Sequence, residues 1–281
     1  MNALELRGLT KSYPDFTLGP IDLTLPGGCI MGLIGQNGAG KTTTLRLILG
    51  LTRRDGGAVR VLGRDNTDRG FRLTKEDIGA VPDEVGFPGE LTAAQIGKVM
   101  KNTYRQWDAA AYGDLLDSFA LPPNKPFGQF SLGMKRKLGL AVALSHDSKL
   151  LLLDEATSGL DPVVRDEVVE RIAAFARDEN HSVLISSHIV SDLEKLCDYV
   201  AFLRAGKRML CEEKDALLAR YGVLHGTAED LKTLPPEAIL YRRDTPYGVE
   251  AAVERKGLPA GVTVSPVGLE ELFIAMVKEA K

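Results

Sequence analysis

Apolar and polar residues alternate along two stretches near the start of the chain, Ala3 to Leu9 and Ile21 to Leu25. A period of two puts successive side chains on opposite faces, so both are predicted as half-buried antiparallel strands. Ile30 to Ile34 is a short apolar run, and Leu150 to Leu153 and Val183 to Ile185 read as core strands. Unbroken apolar runs suit strands covered on both faces, the condition of a parallel sheet. Val59 to Leu62 and Ile78 to Val81 read as further strands, the second stopped by Pro82.

Between these strands the period changes to that of a helix. Thr92 with Gln95 three residues later forms a capping box, and Ile96, Val99, Met100 and Tyr104 then give an apolar face. Asp108 caps a second helix with Ala111, Leu115 and Phe119 on one side, closed by Leu121-Pro122-Pro123. Together they predict a helical subdomain over about 91–145, with Trp107 as one of its packing residues. Ser131 opens the next helix, whose narrow buried face is Leu138, Ala141, Val142 and Ser145 and whose Lys135-Arg136-Lys137 is a solvated face. Asp161 and Pro162 start another, carrying Val164, Val168, Ile172 and Phe175. Ser186-Ser187-His188 leads into a helix with Ile189, Leu193 and Leu196 on one face. Beyond about residue 215 the apolar positions gather at Ile239 to Arg242, Val262 to Val267, and Leu269, Leu272, Phe273 and Met276, which predicts a small α/β appendage.

Composition narrows the class. A chain of 281 residues, 44% hydrophobic and 26% charged, is a soluble globular one with room for a large core and a smaller appended unit. Its formal charge of −3 argues against a broad nucleic-acid footprint. Cys29, Cys197 and Cys211 lack CxxC spacing and read as reduced small hydrophobes in a cytosolic protein. Neither a signal peptide nor an apolar run of about 20 residues is visible, so any membrane crossing falls to another chain.

The stretch Gly35-Gln36-Asn37-Gly38-Ala39-Gly40-Lys41-Thr42, followed by Thr43, turns the picture from fold to chemistry. It lies between the Ile30–Ile34 strand and a periodic run from Leu45 to Leu51, the context that a GxxxxGK[ST] phosphate loop requires. Its glycines let consecutive N–H groups turn inward, and the helix start adds partial positive charge. Lys41 is placed for the β- and γ-phosphates and Thr42 for Mg²⁺. Downstream, four leucines end in Asp154-Glu155, so the same sheet edge gains a carboxylate for the metal and one to polarise a water. His188, at another strand end, is a γ-phosphate sensor candidate, and Tyr13 offers a ring for a purine base. Asp83 and Glu84 follow the Ile78–Val81 strand; Ser131 and Gly133 at a helix start form a second anion site.

In order and approximate spacing these pieces resemble the ATP-binding cassette family over roughly residues 1–215. Tyr13 resembles its adenine-stacking aromatic, Gly35 to Thr42 its Walker A loop, Phe130 to Met134 its LSGGQ-like motif, and Leu150 to Glu155 its Walker B strand with the catalytic glutamate. Ser158 to Asp161 resembles the D-loop and His188 the H-loop histidine. The resemblance implies an α/β fold: a P-loop NTPase cassette with a RecA-like mixed sheet core, an antiparallel β subdomain, the inserted helices and the C-terminal appendage. It implies a nucleotide-binding domain over 1–215 and an accessory domain over 216–281, packed on its own cassette or on a partner's. ATP and Mg²⁺ are the implied cofactors, with Thr42, Asp154 and Asp83 toward the metal. Glu155, His188 and Lys41 are the implied catalytic residues.

Two cassettes, identical or homologous, are expected to pair head to tail, each closing its Ser131, Leu132, Gly133 and Met134 over the other's ATP, with Asp161 among the nucleotide-binding residues. Two departures stand out: Asp83 replaces the family's usual glutamine, and Leu132 and Met134 replace a glycine and a glutamine. The run Gly133-Met134-Lys135-Arg136-Lys137-Leu138, Trp107-Asp108 and the tail resemble ATPase subunits of bacterial exporters, which sit on the cytoplasmic membrane face beside a separate permease. The alternative is a soluble cassette ATPase acting on ribosomes or DNA, or an ATP-switched regulator.

Overall fold

A computed structural model describes residues 1–259 and 261–279; residues 260, 280 and 281 of the expected appendage lie outside it. Strand β1 (Asn2–Tyr13) pairs with β2 (Phe16–Pro26), burying Leu4, Leu6 and Leu9 against Leu18, Ile21, Leu23 and Leu25, as the alternation predicts. Next come β3 (Ile30–Gly35) and helix α1 (Lys41–Ile48). The helix stops short of Leu51, which is exposed. Strands β4 (Gly56–Val61) and β5 (Arg64–Asp65) complete an antiparallel sheet of order β2-β1-β4-β5.

The chain then runs through α2 (Phe71–Thr74), β6 (Ile78–Val81), α3 (Ala93–Lys101), α4 (Ala109–Ser118) and α5 (Leu132–Leu144). It continues through β7 (Leu150–Asp154), α6 (Pro162–Phe175), β8 (Ser182–Ser187), α7 (Val190–Leu196), β9 (Tyr199–Arg204) and β10 (Lys207–Glu213). A second sheet has the order β10-β9-β3-β8-β7-β6, parallel from β3 to β6. Its register decides where chemistry can occur: Ile34 pairs with Ser187 and Asp154 with Ser186, so β3, β7 and β8 all end at one edge.

The helices form where expected, but their faces shift. Thr92 and Asp108 cap α3 and α4 as read from the sequence. On α4 the buried residues are Tyr112 and Leu116, with Phe119 just beyond, where Ala111 and Leu115 had been expected. Tyr112 sets that rotation: its hydroxyl donates to Ala93 O at 2.9 Å, and its ring fills the space a side chain at Gly97 would need. Val99 is consequently exposed, and Tyr104 lies past the end of α3, stacked on His146 at 3.8 Å. Trp107 packs against Tyr112 with ring centres 5.0 Å apart.

Helix α5 departs further. Residues 136–143 are buried all round rather than on a narrow face, and Arg136 and Lys137 are not solvated. Lys137 survives burial because its ammonium reaches Glu167 at 2.8 Å and Phe119 O at 3.2 Å, beside the Phe119 ring.

The chain divides into two compact units, residues 1–189 with 201–211, and residues 190–200 with 212–281. The second contains α8 (Lys214–Arg220), β11 (Tyr221–Gly226), α9 (Ala228–Lys232), β12 (Ile239–Thr245), β13 (Gly248–Glu254) and α10 (Leu269–Glu279). Its antiparallel sheet, β11-β13-β12, buries Leu224, Val249, Ala251 and Val253 with Leu231 and Leu234. Among the described residues, Val262 to Val267 supplies the bridge between Val223 and Ser265. Helix α7 belongs to this unit because α10 packs on it: Glu194 accepts the Leu269 N–H at 3.1 Å, a carboxylate at a helix start.

Candidate nucleotide site

At the end of β3 the chain turns back on itself, with Ala39 N–H donating to Gln36 O at 3.0 Å. Gly38 and Gly40 adopt φ of 78° and 106°, the left-handed region that a side chain resists. Gly40 is the N-cap of α1 and no side chain caps that helix, leaving its first N–H groups for an anion. Residues 36–43 line a cavity of about 450 Å³ together with Phe16, Asp83 and Glu155. Every residue named from the sequence between Gln36 and Thr43 therefore faces one space; Gly35, buried, ends the strand beneath it.

The ends of β7 and β8 bring a connected polar chain to the same space. Lys41 Nζ donates to Gly35 O at 2.7 Å and lies 3.0 Å from Glu155 Oε1. The other Glu155 oxygen is 2.7 Å from His188 Nδ1. Ser186 Oγ donates to Asp154 Oδ1 at 2.6 Å and accepts the Glu155 N–H at 3.1 Å. Thr42 bonds Asp154 as well. Burial pushes the Asp154 carboxyl up from its ordinary value, and nearby Asp83 and Glu155 push the same way against the Ser186 and Thr42 hydrogen bonds. Ser186 was not singled out from the sequence, although two serines closing an apolar core strand were the available signal.

Asp83 lines the loop cavity and also a neighbouring one of about 400 Å³ that contains Thr42 and Asp154. One of its oxygens takes the Arg136 guanidinium at 2.8 Å. Sequence reasoning placed Arg136 in solvent; the pairing spans 53 positions and leaves no local pattern.

The remaining candidates sit elsewhere. Ser131 caps α5, accepting the Met134 N–H at 3.3 Å, and Asp161 caps α6 through the Val164 N–H at 3.1 Å. Leu132 and Gly133 pack beside Gly159 and Leu160, so the α5 start and the 158–161 turn are brought together. None of Ser131, Leu132, Gly133, Met134 or Asp161 lines either cavity at the loop. Tyr13 stands at the β1–β2 turn, partly exposed, its ring 6.5 Å from Phe16, which does line the loop cavity.

Comparison with known proteins agrees with this geometry. The profile of the ABC transporter family matches residues 18–158. The lantibiotic transport ATP-binding protein SrtF of Streptococcus pyogenes is 37% identical over 215 residues, covering 75% of this chain and 91% of that protein. Similarity to the bacitracin transport ATP-binding protein BcrA of Bacillus licheniformis is 36% over 207 residues, 73% of this chain and 67% of that protein. A solved structure described as the ATP-binding subunit of an ABC transporter superposes with a TM-score of 0.68 at 27% identity, covering 77% of this chain and 92% of that one. A family match across half the chain, joined to a complete phosphate loop and its facing carboxylates, shows that this protein belongs to the ABC transporter family, as an ATP-binding and ATP-hydrolysing subunit.

Proposed function

We propose that this ATPase drives a membrane exporter, as one of two cassettes that close over ATP and pull on a separate transmembrane permease. The observation that carries the reading is the shared sheet edge at which Lys41, Thr42, Asp154, Glu155 and His188 meet. Relatives named for lantibiotic and bacitracin transport favour the exporter branch over work on ribosomes or DNA. Among the described residues no helix is long and apolar enough to cross a membrane. The reading gives that crossing to the permease and places this chain on the cytoplasmic face, with residues 1–215 as the nucleotide-binding domain and 216–281 as an accessory domain.

Each residue then has a task. Lys41 exchanges the Gly35 and Gln36 carbonyls for β- and γ-phosphate oxygens, helped by the N–H groups of residues 35–43. Thr42 and Asp154 offer adjacent hard oxygen donors, a set that fits Mg²⁺, and Asp83 faces the same space. Bound there, the metal would neutralise charge on the phosphate oxygens. Once Lys41 turns to phosphate, Glu155 Oε1 is released to accept a proton from the attacking water, while His188 holds the other oxygen. Tyr13 stacks on the base, and Ser131, Leu132, Gly133, Met134 and Asp161 complete the partner cassette's site.

The test uses a Glu155→Gln chain, expected to bind ATP without turning it over, as bait in solubilised membranes. ATP-dependent recovery of a polytopic membrane protein supports the reading. Recovery of ribosomes or DNA in its place, or wild-type turnover by the variant, would overturn it.

A further inference from the structure

Arg136 is an unusual group to find inside a helix. Its side chain is only 7% exposed, and among the described residues its Nε and Nη1 have no acceptor. A buried guanidinium needs a negative partner, and Asp83 is the carboxylate that supplies one. Asp83 is the opposite kind of residue, 54% exposed on the loop after β6, where an aspartate would otherwise sample several rotamers. The pair therefore ties an exposed carboxylate to a buried cation. Arg136 holds Oδ1, while Asp83 borders both cavities that contain Thr42. Gly159 lies alongside the guanidinium: a Cβ built there would stand 3.6 Å from Arg136 Nη1, an ordinary contact distance.

We propose that Arg136 is a positioning residue for metal binding, acting through Asp83: it fixes the carboxylate beside Thr42 and Asp154 and offsets the charge that an acid adds next to a triphosphate. This rests on the reading of the site as one for ATP with Mg²⁺. Outer partners that orient a metal ligand are commonly worth about 10–100-fold in metal affinity, so the effect is measurable without turnover.

The experiment measures the Kd of a non-hydrolysable ATP analogue, with Mg²⁺ and with chelator, together with the thermal midpoint of the nucleotide-free chain. Arg136→Gln and Asp83→Asn are each expected to weaken binding about tenfold with Mg²⁺ and by less than about threefold without it. The double variant is expected to be no worse than the weaker single, because both remove one unit. Arg136→Lys, which keeps the charge and guards against a misfolded glutamine variant, should recover most of the loss. Asp83→Asn should also lower the midpoint by about 2–4 °C, since it strands the buried cation. A hundredfold, multiplicative loss in the double variant would overturn the proposal. Equal losses with and without Mg²⁺, or a shifted midpoint with unchanged affinity, would do the same. A wild-type chain that binds no analogue under any condition would instead overturn the functional reading on which the proposal rests.

Discussion

The sheet edge and the start of α5 both carry sequence marks of anion binding, yet they are built in opposite ways. At the edge, Lys41, Thr42, Asp154, Glu155, Ser186 and His188 are joined by hydrogen bonds and ion pairs within one chain. At the α5 start, Ser131 spends its oxygen on the helix's own N–H, while Leu132 and, after the neighbouring turn, Val163 stand largely in solvent at 51% and 78% exposure. One region is a finished constellation and the other an open surface that lines neither loop cavity. A site completed by two chains requires that asymmetry: binding groups fixed in one, a small capped helix end offered by the other.

The largest effect belongs to Glu155→Gln, which removes the proposed proton acceptor and should cut steady-state ATP turnover about 10²–10⁴-fold while the Kd for ATP stays within about threefold. Undiminished turnover would deny the sheet edge its base. Lys41→Ala follows, with ATP affinity falling about 10–100-fold through loss of charge-assisted hydrogen bonds, as read by calorimetry. For the open region, Ser131→Asp keeps a good N-cap but sets a negative charge toward an incoming phosphate. Alone it should be nearly inactive; mixed in equal amounts with Lys41→Ala chains, it should regain roughly a quarter of wild-type turnover if two copies pair and their sites work independently, because mixed pairs hold one intact site. Failure of a pair-forming mixture to recover would break the contrast by showing that the α5 start is not donated.

The smallest effect lies past the other end of α5, at His146. Burial holds its pKa below the ordinary value of 6.5, against the Glu76 carbonyl, which favours the cation. Unfolded chains take up this proton as pH falls through 6.5 and folded ones do not, so its contribution to stability is complete above that pH and is lost below it, by at most about 1.4 kcal/mol per pH unit. Thermal unfolding at pH 7 and pH 5.5 should show a shallower drop for His146→Gln than for wild type.

What could be read from the chain alone follows from how far apart the interacting residues lie. The phosphate loop is contiguous, Thr92 and Gln95 are three apart, and Asp161 precedes its own helix, so local chemistry announces each. Leu150 to Glu155 was legible because a buried strand must end somewhere and its last residues are acids. The rotation of α4 was not, since it depends on Tyr112 finding Gly97 across another helix. Nor was the burial of Arg136 and Lys137, whose partners Asp83 and Glu167 lie 53 and 30 positions away. Transfer of α7 to the second unit likewise depends on α10, more than 70 residues later. Periodicity reports which residues are apolar; it cannot report a charge that tertiary pairing permits inside.

Glu155 has a backbone φ of 50°, a conformation that glycine accepts freely and glutamate tolerates only under constraint. The role proposed for its carboxylate and the comfort of the main chain are thus opposed at one position. A saturation library screened for thermal resistance should favour glycine, asparagine or aspartate there, while a screen for nucleotide turnover should reject glycine and asparagine, which carry no carboxylate. Ranking substitutions by robustness alone would point an engineer toward losing the enzyme.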